Sequence, residues 1–206
     1  SNPLSPVVKG EIQCKALGME VDVFNENGES LVNEEGELVC KNSFPSMPIK
    51  FWNDPDNKKY KDAYFEKFAG IWRHGDWAKI TERGTIVIYG RSDATLNPGG
   101  VRIGTAEIYN VVEKLNEVVE CLVIAQSWNR DVRIVLFLKL QNDYKLTEKL
   151  KEKVVNQIKK NLTPRHIPAK IISVPDIPRT RSGKITELAV RDIVHGKEIK
   201  NKEALA

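Results

Sequence analysis

Lys184 ends the run Pro178-Arg179-Thr180-Arg181-Ser182-Gly183-Lys184, in which glycine and serine leave the backbone free to place one ammonium. A lysine ammonium is a compact, mobile point charge suited to oxygens that become more negative during a reaction. By itself the run is ambiguous, because Arg/Lys clusters are most often solvated surface or nonspecific anion patches. Two earlier stretches bear on it. Trp72-Arg73-His74-Gly75-Asp76 puts a short carboxylate beside a flexible residue, which can accept both vicinal hydroxyls of a ribose, although Gly-Asp is also ordinary turn chemistry. In the stretch from Gly90 to Ile108, Arg102 follows a Pro98-Gly99-Gly100 turn whose missing side chains let a ligand approach the backbone. A guanidinium there can clamp a phosphate through two parallel hydrogen bonds. Arg91 and Asp93, at the start of that stretch, can also be read as a plain interdomain ion pair.

The elements that must hold these residues are legible in the patterning. Glu11–Cys14 and Val21–Phe24 alternate as short strands with turn residues Asn25–Gly28 after the second, and Gly36–Cys40 reads as a further strand. Residues 42–70 are rich in Asn, Pro, Asp, Lys and aromatics, with a turn at Phe51–Pro55 and a short helix over Tyr60–Phe68. Thr85–Tyr89 is a β-branched strand leading straight into Gly90-Arg91. Beyond it, Thr105 can cap a helix on which Ile108, Val111, Val112 and Leu115 recur at helical spacing. Val118–Gln126 and Val132–Leu140 read as a strand pair across a turn at 127–131. Thr147 caps a helix running to Leu162, with Leu150, Val154, Val155 and Ile158 as its apolar stripe. Ala169–Val174 is a last strand and Thr186–Val194 a closing helix. The order β-β-α-β-β-α-β-α from residue 85 predicts a small α+β domain with its boundary at Arg91 to Asp93.

Composition narrows the function classes. The 206 residues are 41% hydrophobic, enough for a core, and the net charge of +4 permits anionic partners without singling out nucleic acid. The longest apolar stretches, such as Val118–Ala125, stop far short of the ~20 residues of a membrane helix, so no span is expected. The first residues carry no basic segment followed by an apolar one, and cytosolic residence is the expectation. Cys14, Cys40 and Cys121 are odd in number and scattered, which argues against a disulfide framework or a zinc site and for small buried hydrophobes. The lysine-rich helix 147–162 holds no aromatic residue for base stacking, against a nucleic-acid module. Its lysines have two readings: a solvated face paired with Glu148 and Glu152, or, at Lys159 and Lys160, a contact for phosphates.

In this order the three stretches resemble the late core motifs of the acyl-adenylate-forming (AMP-binding) superfamily, from about Gly36-Glu37-Leu38 to the C-terminus. The Trp-x-x-Gly-Asp form, the Asn97-Pro98-Gly99-Gly100 turn and the tail Val194-His195-Gly196-Lys197 are most similar to members that activate acetoacetate. The resemblance implies an α+β fold in which residues 92–206 form a small mobile C-terminal domain, an antiparallel sheet with flanking helices. Residues 1–91 would be the β-rich end of the large AMP-binding domain. It implies ATP, CoA and acetoacetate as small-molecule substrates, joined with release of AMP and diphosphate. Lys184 would reach the carboxylate and α-phosphate, Asp76 the ribose, Arg91 and Arg102 the nucleotide, and Asp93 would be the hinge. Gly99 and Gly100 would line the pantetheine passage, and Lys159 or Lys160 would meet CoA phosphates. His74 stands where many relatives have threonine, and Ala94 where many have a second charged residue. The Ser/Thr/Gly-rich phosphate loop and the glutamate that holds Mg²⁺ in the family do not occur in 1–206. These residues are therefore expected to work as part of a longer chain and not to adenylate alone.

Overall fold

The computed structural model describes residues 2–199 and Leu205. The chain divides into two compact units, residues 1–92 and 93–206.

In the first unit, β1 (Val21–Phe24), β2 (Glu35–Cys40), β3 (Trp72–Ile80) and β4 (Ile86–Arg91) form an antiparallel sheet in that spatial order. Apolar side chains at alternate positions bury Val23, Ala78, Ile80 and Ile86 on one face. Phe24, Val39 and Phe68 pack together separately. β1 has the bounds read from the sequence. The strand expected at Glu11–Cys14 is reduced to one bridge, Ile12 to Ile86. β3 was not expected at all: Arg73, His74, Asp76 and Lys79 interrupt its apolar pattern, yet it lies between β2 and β4. Its pairing with β4 runs Asp76 to Arg91 and Trp77 to Gly90, then Ala78 to Ile88, which leaves Tyr89 as one extra residue in β4. Helix α1 (Lys58–Tyr64) begins earlier and ends sooner than the expected Tyr60–Phe68. Tyr64 from α1 stacks on Trp72 with ring centres 3.7 Å apart, and Phe44 and Phe65 meet that indole edge-on. An aromatic cluster thereby pins the start of β3.

The second unit contains α2 (Thr105–Val112), β5 (Val118–Trp128), β6 (Asp131–Leu140), α3 (Glu148–Asn161), β7 (Lys170–Ser173) and α4 (Glu187–Val194). β5 and β6 pair antiparallel, and β7 adds a parallel edge along β6, so the α+β class holds with a mixed sheet. Cys121 and Val123 pack on one face against α2 and α3 through Ile108, Val112, Val154 and Ile158. Leu122 and Ile124 face the other way, towards Ile177, Ile185 and Val190. Cover on both faces explains why residues 121–125 of β5 read as a continuous apolar run rather than an alternation. The β5–β6 turn is two residues, Asn129 and Arg130, both with positive φ (50° and 63°), the conformation of tight hairpins. Thr147 caps α3 as expected, its hydroxyl accepting the Leu150 amide at 3.2 Å. Thr105 does not cap α2: Gly104 does, its N–H donating to Glu107 at 2.9 Å, while Thr105 is the first helical residue and is buried. Of the two strands expected between residue 85 and α2, only β4 forms; the second is the single bridge Leu96 to Ile103. Cys40 and Cys121 are buried and Cys14 half-buried, all reduced. No helix among the described residues is long and apolar enough to cross a membrane.

Candidate functional site

In the first unit, the β3–β4 ladder sets Asp76 directly opposite Arg91. An Arg91 Nη1 lies 3.8 Å from Asp76 Oδ1, a loose ion pair in which the Arg91 side chain is half exposed. Asp76 Oδ2 meets Nδ1 of His74 in a short hydrogen bond. That bond raises the His74 imidazole above its ordinary value, against burial and the nearby Arg91 charge, which act to lower it. Gly75, between them, has φ 85°, and a Cβ there would sit 2.8 Å from Arg91 Nη2, so the guanidinium lies over the glycine.

Beneath this surface lies Glu37 of β2, 1% exposed. One oxygen accepts the Gly75 amide at 3.1 Å and the Ser92 hydroxyl at 3.0 Å. The other is 3.1 Å from Arg73 Nε, close but poorly aligned as a hydrogen bond, and 3.8 Å from Lys67. Arg73 Nη2 also donates to Ser92 Oγ at 3.2 Å. A buried carboxylate so satisfied fixes both the main chain next to Asp76 and the last residue of the first unit. Sequence reasoning passed over Glu37; its signal was a charge placed among the buried positions of a strand.

The second unit opens on Asp93, in an exposed turn, whose carbonyl accepts Arg191 Nη1 of α4 at 2.9 Å. Gly99 and Gly100 lie in a 3-10 turn over Pro98–Gly100 with φ of 58° and 78°. The Gly99 amide donates to Asp131 Oδ1 at 3.2 Å, and its carbonyl receives Arg165 Nη1 at 3.5 Å. Asp131 sits at the start of β6 and Arg165 in the Pro164–His166 turn after α3, so two distant elements frame the glycines. Next to Arg165, buried His166 bridges Thr163 and Glu107, which in turn holds the Gly104 amide. Arg102 is exposed just past the glycine turn, and Lys159 and Lys160 are exposed in the last turn of α3.

Lys184 stands on a hairpin loop closed by the bridge Arg179 to Ile185. Thr180 N–H donates to Lys184 O at 2.8 Å, Gly183 N–H to Thr180 O at 2.8 Å, and Lys184 N–H to Thr180 Oγ1 at 3.1 Å. Gly183 takes φ 81° to complete the turn. The main chain is thus held while the Lys184 side chain is exposed, and among the described residues its ammonium makes no ion pair. One leg of the loop is tied through Arg179, which donates to Gly183 O at 2.7 Å and to Glu120 of β5. The other leg runs into α4, where Glu187 Oε1 accepts the hydroxyls of Thr105 at 3.2 Å and Tyr109 at 2.9 Å. Burial, then the Glu187 charge, pushes the Tyr109 phenol far above its ordinary range and keeps it a neutral donor.

The structure therefore joins Asp76 with Arg91 in one unit, and frames Gly99 and holds the Lys184 loop in the other. Glu37, Glu120, Asp131, Arg165 and Glu187 were not singled out from sequence, since each acts through a partner distant along the chain. Among the described residues no group of three or more His, Cys, Asp or Glu side chains could hold a metal ion.

Residues 107–184 match the AMP-binding enzyme C-terminal domain. The chain is 62% identical over 205 residues to the acetoacetyl-coenzyme A synthetase of Rhizobium meliloti (strain 1021), covering 100% of this chain and 32% of that protein. It is 47% identical to the acetoacetyl-CoA synthetase of Xenopus tropicalis, covering 98% and 30%. Among solved structures, an acetoacetyl-CoA synthetase from Streptomyces lividans superposes with a TM-score of 0.92 at 42% identity, over 98% of this chain and 31% of that one. The chain spans about a third of the length of the curated relatives it matches.

Proposed function

We propose that this chain, whose residues 107–184 match the AMP-binding enzyme C-terminal domain and which is 62% identical to an acetoacetyl-coenzyme A synthetase over 205 residues, serves as part of an acetoacetate-CoA ligase. In this reading residues 1–91 end the large AMP-binding domain, residues 92–206 form the mobile domain, and Asp93 is the pivot between two working arrangements. In the first arrangement an acetoacetate oxygen attacks the α-phosphorus of ATP, the bond to the β,γ-diphosphate breaks, and diphosphate leaves. In the second the sulfur of CoA attacks the acyl carbonyl, the bond between acyl carbon and phosphate oxygen breaks, and AMP leaves with that electron pair.

The observation that carries the proposal is Lys184: an exposed ammonium without an ion pair among the described residues, on a loop whose backbone is hydrogen-bonded at several points. A cation held this way can meet the carboxylate and α-phosphate as charge builds on them. At ~4 Å and an effective dielectric of ~20, two unit charges interact by ~4 kcal/mol. Asp76 would take the ribose hydroxyls, with Arg91 beside it and Arg102 on a nucleotide phosphate. The Gly99-Gly100 turn would pass the pantetheine arm, and Lys159 or Lys160 would meet CoA phosphates. Magnesium accompanying ATP would find its carboxylate ligand outside these residues. Consumption of acetoacetate as a ketone body in the cytosol is the setting this reading fits.

The test is Lys184→Ala in the complete synthetase chain. Adenylation, followed as acetoacetate-dependent diphosphate exchange, should fall ~10²- to 10³-fold, while CoA thiolysis of supplied acetoacetyl-AMP should persist. Equal loss of both steps overturns the assignment of Lys184. Turnover with acetate, acetoacetate and longer acids side by side tests the substrate, and preference for acetate would replace acetoacetate with a shorter acid.

A further inference from the structure

Glu120 lies on β5, with its side chain 13% exposed and 64 positions before Lys184 in the sequence. One of its oxygens meets Lys139 Nζ at 3.3 Å and the other takes Arg179 Nη2. Lys139 is in turn held at 2.7 Å by Asp176, which precedes the loop. The hydrogen bond it donates to Asp176, then that to Glu120, keeps the Lys139 ammonium above its ordinary value, so it stays charged and fills one side of the Glu120 carboxylate. That leaves Arg179 as the group on the remaining oxygen.

Arg179 spans two functions with one planar fork. While Nη2 is on Glu120, Nη1 donates to the carbonyl of Gly183 at 2.7 Å. Gly183 has φ 81° and immediately precedes Lys184, so this carbonyl's direction fixes where the Lys184 Cα points. The hydrogen bonds between Thr180 and Gly183–Lys184 shape the loop internally, whereas Arg179 ties the Gly183 carbonyl to a side chain of the sheet. Arg179 converts the rigidity of β5, whose neighbours Cys121 and Leu122 are buried, into a fixed take-off for the lysine.

We propose that Glu120, acting through Arg179, is a positioning residue for Lys184, and that this pair serves adenylation and not thioester formation. This rests on the role given above to Lys184. Lysine at 179 cannot substitute, because a single ammonium cannot present the fixed fork that reaches both a carboxylate on β5 and a carbonyl across the loop. Misplacing a catalytic group by about 1 Å can cost up to about a hundredfold in rate.

The experiment compares Glu120→Ala, Arg179→Lys and Lys184→Ala in the complete synthetase chain, with the two half-reactions assayed separately. Glu120→Ala and Arg179→Lys are each expected to lower kcat of adenylation by about tenfold to a hundredfold, with KM for ATP and the thiolysis rate near wild type. Hydrogen exchange should quicken at the Gly183 and Lys184 amides while the β5–β6 amides keep their protection, which separates a loosened loop from a misfolded domain. If Arg179 contacts the nucleotide itself, Arg179→Lys raises KM for ATP and Glu120→Ala leaves adenylation intact, and the inference is overturned. It is also overturned if both half-reactions fall together. Should Lys184→Ala leave adenylation unchanged, the role of Lys184 fails first; if only Lys184→Ala is impaired, that role stands and the Glu120 inference falls.

Discussion

Glu37 and Gly75 are joined by a hydrogen bond of 3.1 Å across 38 residues, from the main-chain N–H beside Asp76 to a carboxylate in the interior of the first unit. The same carboxylate takes Ser92 Oγ and faces Arg73, so its removal strands several polar groups at once. Glu37→Ala should cost about 3 kcal/mol in chemical denaturation, because breaking a buried pair leaves its partners uncompensated. Glu37→Gln, which still accepts the amide and hydroxyl, should cost clearly less.

At Gly75 the limiting factor is the backbone. A Cβ would crowd Arg91, but that guanidinium is the far end of a half-exposed, flexible side chain and can yield. The φ of 85° cannot be relieved so easily in an L-residue. Gly75→Ala should therefore lose about 1–3 kcal/mol of stability. Under the proposed nucleotide role of Arg91, it should also weaken AMP binding by displacing that guanidinium, measurable by calorimetry on the complete synthetase.

His74 gives a pH signature. Its pKa is raised in the folded chain mainly by the hydrogen bond to Asp76, so the contact stabilises fully below the ordinary value of 6.5 and is lost as pH rises through the higher folded value. An NMR titration should find the His74 midpoint above 6.5 in the wild type and moved down towards it in Asp76→Asn.

The second unit was largely legible in advance because its signals are local: the Thr147 cap, the apolar stripe of α3 and the β5–β6 hairpin need only neighbouring residues to be read. The first unit was harder. β3 earns its place from Trp72 packed in an aromatic cluster and from pairing on both sides, while its own sequence alternates poorly. Likewise Lys184, Asp76 and Arg102 stand in recognisable motifs, whereas Glu37, Glu120 and Asp131 become meaningful only when folding brings a distant partner to them. Thr105 illustrates a competing use of one side chain: a residue suited to capping is instead buried with its hydroxyl donated to Glu187.

Tyr109 supports the far leg of the lysine loop. Its hydroxyl donates to Glu187 and accepts the Val123 amide at 3.2 Å, so Tyr109→Phe leaves both without that partner. A loss of about 1–3 kcal/mol is expected by thermal unfolding, the cost of unsatisfied buried groups. Glu187→Gln, which can still accept both hydroxyls, should recover most of the wild-type stability.

Under the proposed role of the Gly99-Gly100 turn in passing the pantetheine arm, Asp131 bears on thioester formation. Its carboxylate holds the Gly99 amide, and its loss should let the Pro98–Gly100 turn drift. Asp131→Ala is expected to reduce thiolysis of supplied acyl-AMP by about tenfold while sparing diphosphate exchange, with rate assays on each step as the check.

The extra residue at Tyr89 makes the spacing of β4 a matter of odd and even. Side chains along a strand point alternately up and down, and because Tyr89 lies outside the pairing, Gly90 and Arg91 resume it against Trp77 and Asp76, which sets Arg91 on the face of Asp76. Many side chains could occupy position 89 without altering this. Drawing Tyr89 into the ladder opposite Trp77 would move every later residue on by one and turn the guanidinium towards the opposite side of the sheet, so this segment is constrained by its irregular pairing more tightly than by the identity of residue 89.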